Sequence, residues 1–259
     1  MTGGKLKIDI RRKRILEQLR TEGKVSVLQL AELLDVTPVT IRNDLAVMEQ
    51  EGQLIRIQGG AITVPGTQTD SVMQGLSLTQ AKEKRAIAAA AAKLVKDGDT
   101  LLINSGTTTE LVAEALCARR NLNVVTNSLA VARKLGAVAS IRVLLIGGEI
   151  NARYGFTYGG DAQEQLTRYQ ADWAILSVDG ISAGSGITTY HAEEAVVDRM
   201  MIRGAKRAMV VADHSKIGRA GFTRVCQCTQ GMYLVTDGGN DEALAELAAM
   251  GVQIVHPNN

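Results

Sequence analysis

The chain has 259 residues, with 29 lysines and arginines against 27 aspartates and glutamates, so it is not basic throughout. Hydrophobic residues make up 46% and aromatic residues only 3%, which fits a globular protein with an aliphatic, alanine-rich core. No apolar run follows the basic start, so no signal peptide is expected, and the most apolar stretch, Ala86 to Val95, is too short to span a bilayer and contains Lys93. The three cysteines, Cys117, Cys226 and Cys228, lack partners at zinc spacing; reduced thiols in a cytosol are expected, with no metal site and no cofactor.

In chain order, the first element is a basic amphipathic helix from Ile8 to Thr21, with Ile8, Ile15, Leu16 and Leu19 apolar and Gly23 as its stop. A second helix, Val27–Leu34, is expected to turn Leu30, Leu33 and Leu34 inward. Asp35-Val36 then leads into Thr37-Pro-Val-Thr-Ile-Arg-Asn-Asp-Leu45, the most informative stretch. Thr37 suits an N-cap and Pro38 suits the first helical position, where a missing N–H is harmless. Ile41, Leu45 and Met48 form a buried stripe, which leaves Val39, Thr40, Arg42 and Asn43 outward near the helix N-terminus. The recognition helix of a helix-turn-helix offers that end to base edges. Gly52 stops the helix, and Leu54–Gln58, Gly59-Gly60 and Ala61–Val64 read as a two-stranded wing.

Within residues 1–24, eight basic residues (Lys5, Lys7, Arg11, Arg12, Lys13, Arg14, Arg20, Lys24) face three acids (Asp9, Glu17, Glu22). A local excess of this kind suits DNA phosphates, although a solvated helix face would carry a similar charge. Arg11, Ile15 and Leu19 at four-residue spacing, then Thr37 and Thr40-Ile-Arg-Asn-Asp-Leu45, with Arg56 and Gly59-Gly60-Ala61 in the wing, resemble the DeoR family. Its members are mostly sugar-responsive bacterial repressors. The resemblance implies duplex operator DNA as partner, with contacts from Arg12, Thr37, Val39, Thr40, Arg42, Asn43 and Arg56. It also implies a cytoplasmic, nucleoid-associated protein.

Residues 65–78 lack periodicity and read as a linker between a head (1–64) and a larger domain (79–259). Beyond the linker a helix spans Thr79–Lys96. Strands are then expected at Thr100–Asn104, Asn123–Thr126, Arg142–Ile146, Trp173–Val178, Arg207–Ala212, Met232–Thr236 and Gln253–His256. Helical patterns at Thr108–Ala118, Leu129–Leu135, Ala162–Tyr169, Ala192–Gly204 and Asp241–Met250 separate most of them. This alternation predicts an α/β, Rossmann-like domain with a mostly parallel sheet, whose ligands bind at the carboxyl ends of strands. At one such end, Asn104-Ser-Gly-Thr-Thr108 gathers hydroxyls and amides at a helix N-terminus, a ready anion site, although Ser-Gly-Thr also caps many ordinary helices.

Asn127, Asp179 and the Asp213…Lys216 pair fall at three more strand ends. Together these segments resemble the DeoR sensor domain, which is similar in fold to ribose-5-phosphate isomerase. The resemblance implies a phosphorylated sugar as effector, held by Asn104, Ser105, Gly106, Thr107, Thr108, Asn127, Asp179, Glu194 and Lys216. It also implies a homodimer or homotetramer. The competing reading is a sugar-phosphate isomerase or deaminase with Asp179 or Glu194 as general base. An enzyme would have no use for a recognition helix and wing, and a shared fold does not transfer chemistry, so no catalytic residue is expected.

Overall fold

A computed structural model of the chain describes residues 8–22, 24–50, 53–57, 59–63, 81–152 and 154–257. Gly23, Gly52, Gln58 and the expected linker 65–78 lie outside the described residues. The chain forms two compact units, Met1–Leu76 and Ser77–Asn259.

In the first unit, α1 (Ile8–Glu22), β1 (Lys24–Ser26), α2 (Val27–Leu33), α3 (Pro38–Gln50), β2 (Leu54–Ile57) and β3 (Gly60–Thr63) follow in order. Ile15, Leu19, Leu30, Leu34, Ile41, Leu45, Met48 and Leu54 share one aliphatic core. Two expected core residues are instead solvent-facing: Ile8 at the start of α1 and Leu33 at the end of α2. The α2 register turns Val27, Leu30 and Ala31 inward, which carries Leu33 to the outer face. The wing also gains a third strand, with the order β1-β3-β2.

The two wing glycines serve different needs. Gly59 adopts φ +83°, a left-handed turn conformation that glycine takes without steric penalty. Gly60 pairs with Ser26, and a Cβ there would sit 1.9 Å from the Val25 carbonyl oxygen.

In the second unit, α4 (Ala81–Leu94) precedes β4 (Thr100–Ile103), α5 (Thr107–Leu116), β5 (Asn123–Thr126), α6 (Leu129–Gly136) and β6 (Arg142–Leu145). A hairpin, β7 (Glu149–Asn151) and β8 (Phe156–Tyr158), leads to α7 (Gly160–Leu166) and β9 (Ala171–Ser177). Then come β10 (Gly180–Ser182), β11 (Gly186–Thr189), α8 (Ala192–Arg203), β12 (Ala205–Val211) and a 3-10 turn at His214–Lys216. The last elements are β13 (Thr223–Cys226), β14 (Tyr233–Val235), α9 (Asp241–Ala249) and β15 (Gln253–Val255).

Seven strands form one parallel sheet in the order β15-β14-β12-β9-β4-β5-β6. Side chains alternate between its faces, as strand geometry requires. Trp173, Ile175, Leu101 and Ile103 pack with Ile87, Val112 and Leu135 from α4, α5 and α6. Ala174, Leu176 and Leu102 pack with Leu166, Val197 and Leu247 from α7, α8 and α9. Apolar residues on both faces explain why the strands read as continuous aliphatic runs. The strand order reverses between β4 and β9, and open α/β sheets bind ligands in the crevice at such a switch point.

Candidate functional site

In the first unit, α3 begins as its sequence predicts. Thr37 Oγ1 accepts a hydrogen bond from the Thr40 amide at 3.2 Å and lies 2.9 Å from Thr40 Oγ1. Ile41, Leu45 and Met48 are buried, so Val39, Arg42 and Asn43 face solvent. The expected cation Arg12 is held differently. Its Nε lies 3.2 Å from Asp44 Oδ1, while Arg11 Nε reaches Asp44 Oδ2 at 2.5 Å. Arg11 and Asp44 are buried, so this pair fastens α1 to α3 and Arg12 is partly engaged in it. Lys13 and Arg14, counted among the basic residues of the head but not named as contacts, are the exposed cations of that helix turn. Arg56 is exposed on the wing, its amide bonded to Glu49 at 3.0 Å and its guanidinium 3.7 Å from the same carboxylate.

In the second unit, the crevice at the switch point is built from Asn104–Thr108 after β4 and Ser177–Asp179 at the end of β9. Gly106 is required there: a Cβ would come within 2.5 Å of Ser177 Cβ and 2.7 Å of its hydroxyl. Gly106 caps α5 without a side-chain hydrogen bond, and the Thr109 hydroxyl donates to the Gly106 carbonyl. The first-turn amides of a helix have no intrahelical acceptor, so this end presents positive dipoles to an anion. Gly106 and Thr107 are partly exposed, whereas Ser105 and Thr108 are buried and the Ser105 hydroxyl donates to the Tyr154 carbonyl at 3.2 Å.

Two residues expected to touch an effector are wholly buried. Asn104 donates to the Ser177 carbonyl and to Asp198 Oδ1, both at 3.0 Å, and accepts from the Ser177 amide at 2.9 Å. Its side-chain amide bridges the ends of β4 and β9. Asn127 donates to the Thr157 carbonyl at 3.1 Å beneath the β7–β8 hairpin, and its Oδ1 has no partner among the described residues.

The remaining expected residues do converge. Lys216 Nζ lies 3.8 Å from Asp179 Oδ1, and the Tyr190 amide donates to Asp179 Oδ2 at 2.8 Å. The buried Thr189 hydroxyl lies 2.8 Å from Glu194 Oε2 and 3.2 Å from Asp179 Oδ2. A hydroxyl carries one proton, so both contacts are satisfied together only when one carboxyl supplies its own. Burial pushes Glu194 up to about 7, against the Thr189 hydrogen bond and reinforced by Asp179 and Glu193. The raised Glu194 favours its neutral form beside Thr189, and the hydroxyl links that carboxyl to Asp179, with Lys216 beyond it.

One turn further along α8, Asp198 is fully buried; burial first, and then Glu194, holds its carboxyl well above the usual range. Lys84 of α4 sits 4.0 Å from Asp213, both buried. Burial lowers its pKa, opposed by Asp213 and aided by Lys216. Asp213 also accepts from the Ser215 amide at 3.0 Å and so shapes the turn that carries Lys216. Sequence reading missed Thr189, Asp198, Ser177 and Lys84 as site residues; only the Asp-Gly and Glu-Glu segments beside them gave a signal. No group of residues suited to a metal ion, and no helix long and apolar enough to cross a membrane, occurs among the described residues.

A family model described as "DeoR-like helix-turn-helix domain" matches residues 11–66, and one described as "DeoR C terminal sensor domain" matches 79–238. The HTH-type transcriptional repressor GlcR of Bacillus subtilis (strain 168) is 34% identical over 233 residues, covering 90% of this chain and 90% of that protein. The glycerol-3-phosphate regulon repressor of Escherichia coli (strain K12) is 35% identical over 205 residues, covering 79% of this chain and 81% of that protein. Among solved structures, the ribose 5-phosphate isomerase A of Methanocaldococcus jannaschii aligns with 53% of this chain and 54% of its own, at 17% identity and a TM-score of 0.40.

Proposed function

The chain belongs to the DeoR family of transcriptional regulators, a DNA-binding regulator of sugar-related genes rather than an enzyme, and from that premise we propose that a phosphorylated sugar is its effector. The observation that carries this reading is the α5 N-terminus, which has no side-chain cap and lies at the switch point, with Gly106 against Ser177. The phosphate would rest on the amides of Gly106, Thr107 and Thr108. Lys216, 3.8 Å from Asp179, would offer a cation, and Asp179 and Glu194 would take sugar hydroxyls. Ser105 and Asn127 would join only if the β7–β8 hairpin shifted, because both now bond beneath it.

The second half of the proposal concerns DNA. Thr37, Val39, Thr40, Arg42 and Asn43 on α3, with Arg56 on the wing, would meet operator DNA, and Arg12, Lys13 and Arg14 its phosphates. One head covers one half-site, so a homodimer or homotetramer acting on the bacterial nucleoid, in the cytoplasm, is the matching assembly. Head, linker and sensor are assigned to residues 1–64, 65–78 and 79–259.

The test has two arms on the purified protein. A panel of triose, pentose and hexose phosphates is screened for thermal stabilisation, which reports ligands that prefer the native state. A gel shift on the promoter of its own operon is then titrated with the hits. The expected result is salt-sensitive operator binding whose affinity changes with one phosphate class. Operator binding that ignores every phosphate would sink the effector assignment.

A further inference from the structure

Four rings line up beside the polar groups of the crevice. Tyr154 and His191 have centroids 4.6 Å apart, His191 and Tyr190 are 5.2 Å apart, and Tyr190 and Phe222 are 6.3 Å apart. Phe222 is 85% exposed and Tyr190 66%, so the outer half of this row has no cover. The row is attached to the crevice through two of its members, Tyr154 at one end and Tyr190 within it. The Tyr154 carbonyl accepts from the Ser105 hydroxyl beside the α5 N-terminus, and the Tyr190 amide donates to Asp179. Phe222 follows Gly221, whose amide donates to Thr188 Oγ1 at 2.7 Å, so the β11–β13 pairing holds it next to Tyr190.

Ring faces carry partial negative charge and attract polarised C–H groups. One face of a closed sugar ring presents a flat set of such C–H bonds, while its edge carries the hydroxyls. An open-chain polyol phosphate has no such face. Resting on the sugar-phosphate reading above, we propose that Tyr190 and Phe222 are specificity-determining residues that stack on the C–H face of a ring-closed hexose phosphate. The ring's phosphate then lies at the α5 N-terminus and its hydroxyls at Asp179. The exposed aromatic pair thus selects closed rings over open chains.

The experiment measures affinity calorimetrically for glucose 6-phosphate, galactose 6-phosphate, glucosamine 6-phosphate, glucitol 6-phosphate and inorganic phosphate. The proteins are the unaltered chain, Tyr190→Ala, Phe222→Ala and Tyr190→Leu. Both side chains are exposed, so folding is not at issue. At least one ring-closed phosphate should bind the unaltered protein about tenfold more tightly than glucitol 6-phosphate. Each alanine variant should lose roughly tenfold for that ligand and less than about twofold for glucitol 6-phosphate and inorganic phosphate, with Tyr190→Leu restoring little.

Equal losses for ring and chain, or no loss, would overturn the stacking role while leaving the sugar-phosphate reading intact. Unaltered protein that binds none of the sugar phosphates, in this set or in the wider panel, would remove that reading and this proposal together. A change in oligomeric state with unaltered affinities would assign the two rings to an interface between copies and overturn the proposal.

Discussion

At the scale of single residues, the Thr189 hydroxyl joins two carboxyls of the crevice, Glu194 and Asp179. Burial pushes Glu194 up to about 7 in the folded chain against 4.5 for an ordinary glutamate, so the native state holds a proton that the unfolded chain releases between those values. The sign follows directly. The stabilisation from this group is full below about pH 4.5 and is lost as pH rises through 7. Glu194→Gln keeps a neutral group beside Thr189 and cannot ionise. It should match the unaltered protein at pH 5 and melt higher at pH 8. A gain of roughly 1 kcal/mol would appear as about 2–4 °C in Tm. Asp198 is shifted in the same direction, so the pH slope should shrink rather than vanish. Parallel Tm–pH curves for the two proteins would show that Glu194 does not carry the shift.

At the scale of elements, the recognition helix depends on a joint that sequence periodicity does not reveal. Asp44 belongs to α3 yet faces the buried guanidinium of Arg11 on α1. Removing one partner of a buried pair strands the other charge at a cost of about 3–5 kcal/mol. Asp44→Ala should therefore lower the melting of the DNA-binding unit and abolish operator binding near that temperature, with sugar-phosphate stabilisation of the other unit unchanged. Differential scanning calorimetry with and without ligand separates the two. Lys13 and Arg14 differ from Arg12 because they are exposed. If they meet DNA phosphates, Lys13→Ala should reduce the slope of log K against log salt by about 0.9. An unchanged slope would remove Lys13 from the interface.

What was legible in the sequence also divides by element. All seven strands of the parallel sheet were readable; the inner ones are buried on both faces and leave uninterrupted aliphatic runs such as Ala174-Ile-Leu176 and Met209-Val-Val211. Most short antiparallel pieces outside the β2–β3 wing were not. Lys24–Ser26, Glu149–Asn151, Gly180–Ser182 and Gly186–Thr189 span three or four residues each, too few for alternation to stand out. The crevice was partly readable for the same reason. Ser105–Thr108, Asp179 and Lys216 sit next to strand ends and announce themselves. Thr189, Asp198 and Lys84 come from a short strand and two helices, and only tertiary packing brings them in. Asn104 is legible at the end of a strand, but its orientation toward Ser177 and Asp198 depends on β9 as neighbour, which is 73 residues away.

At the scale of the whole molecule, regulation requires that the effector favour one state of the protein over another, since a ligand bound equally to both shifts nothing. Lys216 offers a way to separate binding of the signal from binding of DNA. It lies on the turn shaped by Asp213, within 3.8 Å of Asp179, and in a unit different from the one that carries α3. Lys216→Ala removes one cation from the crevice without touching the recognition helix or its Arg11–Asp44 joint. A phosphate contact of this kind contributes about 1.5–3 kcal/mol, so the effector concentration for half-maximal response in a gel-shift titration should rise by roughly tenfold or more. Operator affinity without effector should stay within about twofold, and its salt slope should not move, because no phosphate contact of the DNA has been altered. If operator binding falls as far as the effector response, Lys216 supports the fold of the regulator rather than reading its ligand. If the dose–response is unchanged, the effector lies elsewhere in the crevice and its anion is held by the α5 amides without help from this lysine.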